Sequence, residues 1–311
     1  MNSQTDLSTP YPPGPQQAAP LSMPETRPMY WSVRRELWEN RSIYIAPLVV
    51  AAVVLFATSL GTIGLPRRMR EFSTLDPAKG HASIATHFSM APAPIMLAAF
   101  IVGFFYCLDA LYGERRDRSI LFWKSLPVSD RTTVLSKAGI PFVVLPLIAY
   151  ALSVAAQIVL LMLGTMALLG SGQNPATWWG EVRFFQGLLI MFYGLTVHTL
   201  WFAPIYGWLL LISAWARRSP ILWAVLPPLA VAAVERIVFS TSSFMHMLGY
   251  RVTGAMVEAF ALKPTGGGDI NRLSQLDPAK FLSAPGLWVG LALAAVFLAA
   301  AVRLRRNREP I

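Results

Sequence analysis

The chain has 311 residues, of which 55% are hydrophobic and 14% are charged, and its formal net charge is +10 at pH 7. Soluble domains carry about 25% charged residues, so this composition excludes an ordinary soluble domain. The charges are clustered, and long apolar segments separate the clusters, as is typical of a membrane protein. Because the arginines flank apolar segments and form no single patch, we also exclude nucleic acid as a partner. The single cysteine, Cys107, excludes an internal disulfide and a cysteine-based metal cluster.

The first 28 residues are rich in proline, glutamine, serine and threonine and contain no apolar run. This composition predicts a disordered tail over residues 1–28. From Met29 the pattern changes, because Met29, Val33 and Leu37 recur at intervals of four residues. Charged residues are predicted on the other side of this helix: Arg34, Arg35, Glu36 and Glu39.

This amphipathic segment predicts a helix in the membrane interface, with aromatic rings at headgroup level and arginines directed towards phosphate. Alternatively, the segment is only the solvated beginning of the first spanning helix. The predicted interfacial anchors, which would bind membrane lipid, are Trp31, Arg34, Arg35 and Trp38.

Six apolar segments follow that are long enough to cross a membrane, at about twenty residues per crossing. They comprise residues 43–63, 91–111, 139–169, 184–216, 221–239 and 285–302. The third and fourth exceed one crossing, and their prolines at 141, 146 and 204 predict kinks or extensions beyond the bilayer. An eight-span arrangement, with either segment split, is the alternative. We predict an all-α integral membrane protein with one transmembrane domain over residues 29–311.

Lysine and arginine in the connecting segments favour both termini inside. The prediction is therefore a multi-pass protein of the plasma membrane, the inner membrane in a bacterium, with cytoplasmic termini. A basic cluster at Arg67, Arg68 and Arg70 on the predicted outer side argues against this orientation.

Between the fifth and sixth spans, residues 240–284 are too broken to cross a membrane and too apolar for a free loop. We expect outer re-entrant or interfacial helices here. The pentapeptide Leu-Asp-Pro-Ala-Lys occurs at 75–79 and at 276–280. Aspartate followed by proline predicts the start of a helix at both places.

The connection between the second and third spans is the most informative segment. It opens with a cluster of mixed charge at 114–118, continues as a short apolar and aromatic helix at 120–126, and is stopped by Pro127. Ser129 then suits the cap of a new helix that begins the third span. Because Phe122 and Trp123 would be costly to leave in water without a partner, we interpret this helix as a docking element.

At these residues the sequence resembles the permease subunits of type-2 ABC transporters, the exporter class of six-span permeases. The resemblance rests on Glu114-Arg115-Arg116-Asp117, on Ser-Leu-Pro-Val-Ser at 125–129 and on Ser136-Lys137. It implies that residues 119–126 form a coupling helix in a groove of a separate ATPase subunit, with Glu114 helping to anchor it. The coupling and ATPase-contact positions are Glu114, Arg115, Arg116, Ser119, Phe122, Trp123, Leu126 and Pro127.

The resemblance also implies an assembly of two ATPase copies with a second permease chain, which is either an identical copy or a sister subunit. ATP and magnesium would bind to the ATPase, so this chain would hold no cofactor, no metal and no catalytic residue. Transport, in the direction of export, would follow the motion of the docked coupling helices.

Other functions are less consistent with the sequence. None of the five lysines follows a glycine, which excludes a phosphate-binding P-loop in this chain. The four histidines contain no pair at the spacing of a zinc protease, and no nucleophile-elbow motif is present. The alternatives are a membrane scaffold or assembly factor that docks a soluble partner without transport, and a membrane-embedded enzyme.

A few polar residues lie within the predicted spans, where such groups are costly and often functional. The alternative for each is an interhelical hydrogen bond or, for the neighbours at 235 and 236, an ion pair near the outer interface. The candidates are Asp109, Gln157, His198, Glu235 and Arg236.

Overall fold

The computed structural model describes residues 26–67, 70, 91–125, 128–172, 174–261, 270 and 272–307. Within these residues the protein is helical, with one isolated bridge between Phe260 and Leu276 and no strand. The predicted tail lies outside them except for its last three residues, which begin helix α1. The prediction of an all-α chain is confirmed.

The described residues form fourteen α-helices. In chain order they are α1 (Thr26–Glu39), α2 (Ser42–Ile63), α3 (Pro92–Asp109), α4 (Tyr112–Arg116), α5 (Ser119–Ser125), α6 (Asp130–Gly139), α7 (Leu145–Gly170), α8 (Ala176–Val182), α9 (Phe184–Trp201), α10 (Ala203–Trp215), α11 (Pro220–Val234), α12 (Ser243–Ala259), α13 (Pro278–Ser283) and α14 (Pro285–Asn307).

Six helical segments of the described chain are long and apolar enough to span a membrane, as the sequence predicted. They are Ser42–Ile63, Pro92–Arg116, Asp130–Gly170, Phe184–Trp201, Pro220–Phe239 and Pro285–Asn307. The helix of the third begins nine residues before the predicted apolar segment, because the side chain of Ser129 accepts a hydrogen bond from the amide of Thr132 and caps α6, as the sequence predicted. A π-helical turn at Ile140–Val144 joins α6 to α7 where the prolines predicted irregularity.

The fourth apolar segment is divided at a single residue, Phe202, into α9 and the shorter α10. Pro204 has no amide hydrogen to donate, which removes one bond of the helical ladder here. The amide of Phe202 still bonds to the carbonyl of His198, and the amide of Tyr206 bonds to the carbonyl of Phe202. The chain therefore bends at this point, and the candidate span Phe184–Trp201 is followed directly by the shorter apolar helix α10.

Helix α10 lies in the core of the bundle, packed along α14 and α3. A Cβ atom at Gly207 would lie 3.3 Å from the Cα and carbonyl oxygen of Ala294, so the two backbones approach closely. The hydroxyl of Ser213 accepts hydrogen bonds from the amides of Leu111 and Tyr112, at 3.0 and 2.9 Å. These bonds attach the end of α3 to the end of α10.

The two ends of the bundle differ. We call the end that carries Glu36, Glu114, Lys137 and Arg305 the charged end, and it also holds α1, α4 and α5. Helices α12 and α13 lie at the opposite end, between the fifth and sixth spans. The carboxylate of Asp277 accepts a hydrogen bond from the amide of Lys280 and starts α13, which confirms the predicted helix start at 276–280. The copy at 75–79 lies outside the described residues.

Candidate functional site

A buried ion pair joins α1 to α6 at the charged end. The ammonium of Lys137 lies 2.9 Å from Oε1 of Glu36, and both side chains are almost completely buried. The hydroxyl of Tyr106 donates to Oε2 of Glu36 at 2.8 Å. The sequence pattern predicted Glu36 on the polar side of α1, and this prediction is wrong: partners on other helices allow the carboxylate to be fully buried.

Glu114 is the centre of the same network. Its Oε1 lies 3.2 Å from both Lys137 Nζ and Arg35 Nη2, and its Oε2 lies 3.0 Å from Arg305 Nη2. Arg305 also pairs with Asp130 at the start of α6. One carboxylate thus connects α4 to cations on α1, α6 and α14.

The more deeply buried charges of this network balance. Its cations are Arg35, Lys137 and Arg305, and its carboxylates are Glu36, Glu114 and Asp130. The more exposed Glu39 lies 3.6 Å from Arg35 at the edge of the network. A buried charge without a partner is strongly unfavourable, so the helices that carry these groups are constrained to stay together. We call these six residues the charge network.

Electrostatics keep Glu36 ionised. Burial alone raises the pKa of its carboxyl, but the nearby charges of Lys137 and Arg35 and the hydrogen bonds from Lys137 and Tyr106 outweigh burial. The pKa of Glu36 therefore lies below its ordinary value.

Helix α5 is attached to the charge network on one side and exposed on the other. Ile120 is buried, and the guanidinium of Arg35 lies 3.8 Å from the ring centroid of Trp123. The hydroxyl of Ser119 donates to the carbonyl of Glu114 at 3.4 Å.

The outer side of α5 consists of Leu121 and Phe122, which are 59% and 60% exposed. The rings of Phe122 and Trp123 pack edge to face, with centroids 4.8 Å apart. The predicted contacts Leu126 and Pro127 lie outside the described residues.

The two arginines between α3 and α5 have different surroundings. Arg115 is buried, and its Nη1 donates to the carbonyls of Ala214 and Ala216 at 2.7 and 3.1 Å. Its guanidinium therefore holds the end of α10 instead of facing outward. Arg116 is exposed and pairs with Asp117 and, at 3.8 Å, with Asp109.

Three of the four predicted interfacial anchors share the exposed side of α1. The guanidinium carbon of Arg34 lies 5.2 Å from the ring centroid of Trp31 and 4.8 Å from that of Trp38. Both tryptophans are more than half exposed. The fourth, Arg35, turns inward and belongs to the charge network.

The polar candidates within the spans are not brought together. His198 contacts Tyr206 through its Nε2 at 3.2 Å and stacks on Phe202 with ring centroids 4.5 Å apart. Asp109 is exposed beside Arg116, and Gln157 is buried in α7.

Glu235 has a structural role at the opposite end. Its carboxylate accepts hydrogen bonds from the amides of Ser243 and Phe244 and from the hydroxyl of Thr241, each at 2.8 Å. It therefore satisfies free amides at the start of α12, where a negative charge is favourable. In the described part of the chain it makes no ion pair with Arg236, which is exposed.

An arginine that the sequence analysis did not select holds the bend at Phe202. Arg251 of α12 donates to the carbonyls of Trp201 and Gly286, at 3.2 and 2.7 Å, and its guanidinium carbon lies 4.7 Å from the centroid of the Trp201 ring. The indole of Trp201 donates in return to the carbonyl of Arg251. A Cβ atom at Gly290 would lie 2.6 Å from the guanidinium, so a side chain at this position would displace Arg251.

Of the network partners of Glu114, Lys137 and Arg305 were not selected as site residues, and Arg35 was selected only as a lipid anchor. Lys137 and Glu36 are 101 positions apart in the sequence, so no local pattern connects them. Arg251 could have been identified from the sequence, because an arginine within a largely apolar helix indicates a functional or structural cation.

Searches of protein families, of curated proteins and of solved structures found nothing that matches this chain. Among the described residues, no three histidine, cysteine or acidic side chains come together as a metal site would require. The main feature of the charged end is the apolar, aromatic surface of α5, which is attached through the charge network to α1, α4, α6 and α14.

The charge network predicts a large loss of stability when one cation is removed. Lys137→Met leaves Glu36 and Glu114 with too few partners, and the expected loss is about 3–5 kcal/mol in the free energy of unfolding. The Glu36→Gln, Lys137→Met double variant should lose less than Lys137→Met alone. Unfolding in detergent measures the effect, with Arg116→Met at an exposed ion pair as control. Equal losses for Lys137→Met and Arg116→Met would contradict the network.

The lowered pKa of Glu36 predicts a pH dependence. A carboxyl whose pKa is lower in the folded state contributes stability above its ordinary pKa of about 4.3, and this is lost as the pH falls through the folded-state pKa. Burial raises the pKa of neighbouring Glu39, whose contribution has the opposite sign. The melting temperature of the wild type should therefore fall more steeply below pH ~4.5 than that of Glu36→Gln. An equally steep fall in Glu36→Gln would contradict this assignment.

The Arg251 contact predicts a coupling between two positions. Gly290→Ala should destabilise the wild type by about 1–3 kcal/mol, because the methyl group displaces the guanidinium from its two carbonyls. In an Arg251→Ala background, the same substitution should cost much less. Melting temperatures of the four proteins measure this coupling, and a cost at Gly290 that is independent of Arg251 would refute it.

Proposed function

We propose that this chain is the membrane-spanning subunit of an ABC transporter and that a separate ATPase drives it. The observation that carries the proposal is the attachment of α5. Its exposed residues Leu121 and Phe122 point away from the bundle, while Trp123 and Ser119 connect it to the charge network. A helix with an exposed apolar side and an opposite side that is fixed to the bundle is suited to transmit force from a partner protein to the spans.

Docking of α5 has a clear energetic basis. Burying a large apolar side chain contributes about 1.5–3 kcal/mol, and both Leu121 and Phe122 have more than half of their surface available. A groove in the ATPase that takes up these two side chains is the expected contact. Lys124, whose ammonium bonds to the carbonyl of Arg306 at 3.4 Å, ties the far end of α5 to α14.

Movement of α5 would reach most of the spans. Glu114 lies at the end of the second span, Lys137 near the start of the third and Arg305 near the end of the sixth. Arg115 connects the same segment to the end of α10. ATP-driven closure of the ATPase would shift these spans together between two states, each favoured by one nucleotide condition.

In this proposal the charged end faces the cytoplasm of the plasma membrane, or inner membrane, with both termini on that side. The working assembly has two such permease chains, either identical or sister subunits, and two ATPase copies that bind ATP and magnesium. Trp31, Arg34 and Trp38 of α1 rest on the membrane surface and bind lipid. The direction of transport is export.

The test is copurification of an ATPase from detergent-solubilised membranes. Leu121→Asp, Phe122→Asp should abolish association, because both side chains are exposed in this chain and their substitution leaves the Arg35–Trp123 contact in place. Phe122→Asp, Trp123→Asp should also abolish it. The matched control is Trp31→Asp, an equally exposed aromatic residue at the same end, which should retain the ATPase.

Two results would contradict the proposal. If no P-loop ATPase copurifies with the wild type, the chain is not an ABC permease. If a soluble partner is captured through α5 but no cargo stimulates ATP hydrolysis in the reconstituted complex, the chain is a scaffold that docks its partner without transport.

A further inference from the structure

Two polar side chains stand one turn apart in the core of α7. Ser153 is fully buried and Gln157 is 5% exposed. Within the described residues, neither the hydroxyl oxygen of Ser153 nor Oε1 of Gln157 has a hydrogen-bond partner. Both lie on the buried side of α7, together with Ala149, Ala156 and Leu160.

Such groups are unusual in a span. A buried polar atom without a partner is unfavourable, and in a bilayer no water is at hand to compensate it. Helix α7 packs mainly against α2 and α3. The hydroxyls of Thr58, Ser59 and Thr62 in α2 donate to carbonyls of their own helix, and the hydroxyl of Tyr106 in α3 donates to Glu36. His198 and Glu235, by contrast, have partners of their own.

We propose that Ser153 and Gln157 form a polar contact site for cargo, which becomes accessible when α7 moves away from the helices that cover it during the working cycle. This inference rests on the proposed function. In the closed arrangement the two side chains are unsatisfied, which disfavours that arrangement relative to one in which cargo or water reaches them. The site therefore lies on the side of the third span that packs within the bundle, where α2 and α3 are its main neighbours.

The surroundings define the chemical class of the cargo. Residues 42–63 of α2, 92–108 of α3 and 145–170 of α7 contain no charged side chain. An ionic cargo would have no counter-charge along these segments, which makes its passage unfavourable. Oε1 of Gln157 accepts a hydrogen bond, so the cargo is an uncharged amphipathic molecule that carries hydroxyl or amide donors on an apolar body.

The first test asks whether the Gln157 amide stabilises the fold. Gln157→Leu should leave the melting temperature in detergent unchanged or higher, because it removes an unpartnered polar group. The matched control is Tyr206→Phe, which removes a hydroxyl that is bonded to His198 and should lower the melting temperature. A larger decrease for Gln157→Leu than for Tyr206→Phe would overturn the inference, because the amide would then be part of the folded scaffold.

The second test asks whether the site opens. In a Cys107→Ser background, which removes the only native cysteine, Ser153→Cys and Gln157→Cys are placed with the ATPase in lipid nanodiscs. A small uncharged reagent, methyl methanethiosulfonate, should modify both at rates that differ at least tenfold between the nucleotide-free and the vanadate-trapped state. Leu210→Cys, fully buried between other helices, should stay unmodified in both states.

Protection experiments with three eight-carbon amphiphiles test the cargo class. Octyl glucoside, which is uncharged and carries hydroxyls, should slow modification of Gln157→Cys, whereas octyl sulfate and octyltrimethylammonium should not. No modification in either state, or equal protection by all three, would overturn the inference while the ATPase still copurifies. If no ATPase copurifies, the proposed function itself fails.

Discussion

Neutralisation of the buried Glu114 carboxylate is the constraint on which the charged end depends. Three cations reach it from α1, α6 and α14, and Glu36 and Asp130 balance the excess charge. Because removing one partner of a buried pair is far more costly than the pair's net contribution, these helices must move together or exchange partners together. The same network holds α5, since Arg35 contacts both Glu114 and the ring of Trp123. A short helix that is marginal by itself thereby acquires a fixed position.

Helix α10 extends this constraint towards the opposite end. At the charged end its last carbonyls are bound by Arg115, and its Ser213 binds the amides at the end of α3. At its other end, the bend at Phe202 is held by Arg251 through the carbonyl of Trp201. Two arginines therefore bind backbone carbonyls at or beside the two ends of α10. A displacement of α5 that moves Arg115 would act on a helix whose far end is fixed to α12 and α14.

The elements predicted well from the sequence were those with local causes. Apolar length predicted six spans, Ser129 and Asp277 predicted helix starts, and Pro204 predicted a kink. The failures had non-local causes. Amphipathic periodicity assigned Glu36 to the polar side of α1. This assignment failed because the lysine and tyrosine that compensate the burial of Glu36 come from distant segments. The carbonyl of Trp201 likewise receives its donor from α12, which follows the fifth span, 50 positions later in the chain.

The fifth span is held less tightly by the rest of the chain than the other candidate spans are. Only 6% of its apolar 18-residue stretch is buried within the described chain, compared with 17–39% of the corresponding stretch in the other five candidate spans. Pro228 leaves the carbonyl of Ala224 without its helical donor, and the indole of Trp208 supplies one at 3.1 Å. This bond ties the fifth span to α10 at the one buried position of α11. Among the described residues, the fifth span makes none of the ion pairs that hold the second, third and sixth, so it can change its tilt while the charge network stays intact. We therefore expect the fifth span to move relative to the spans held by Glu114, in addition to the opening beside α7 proposed above.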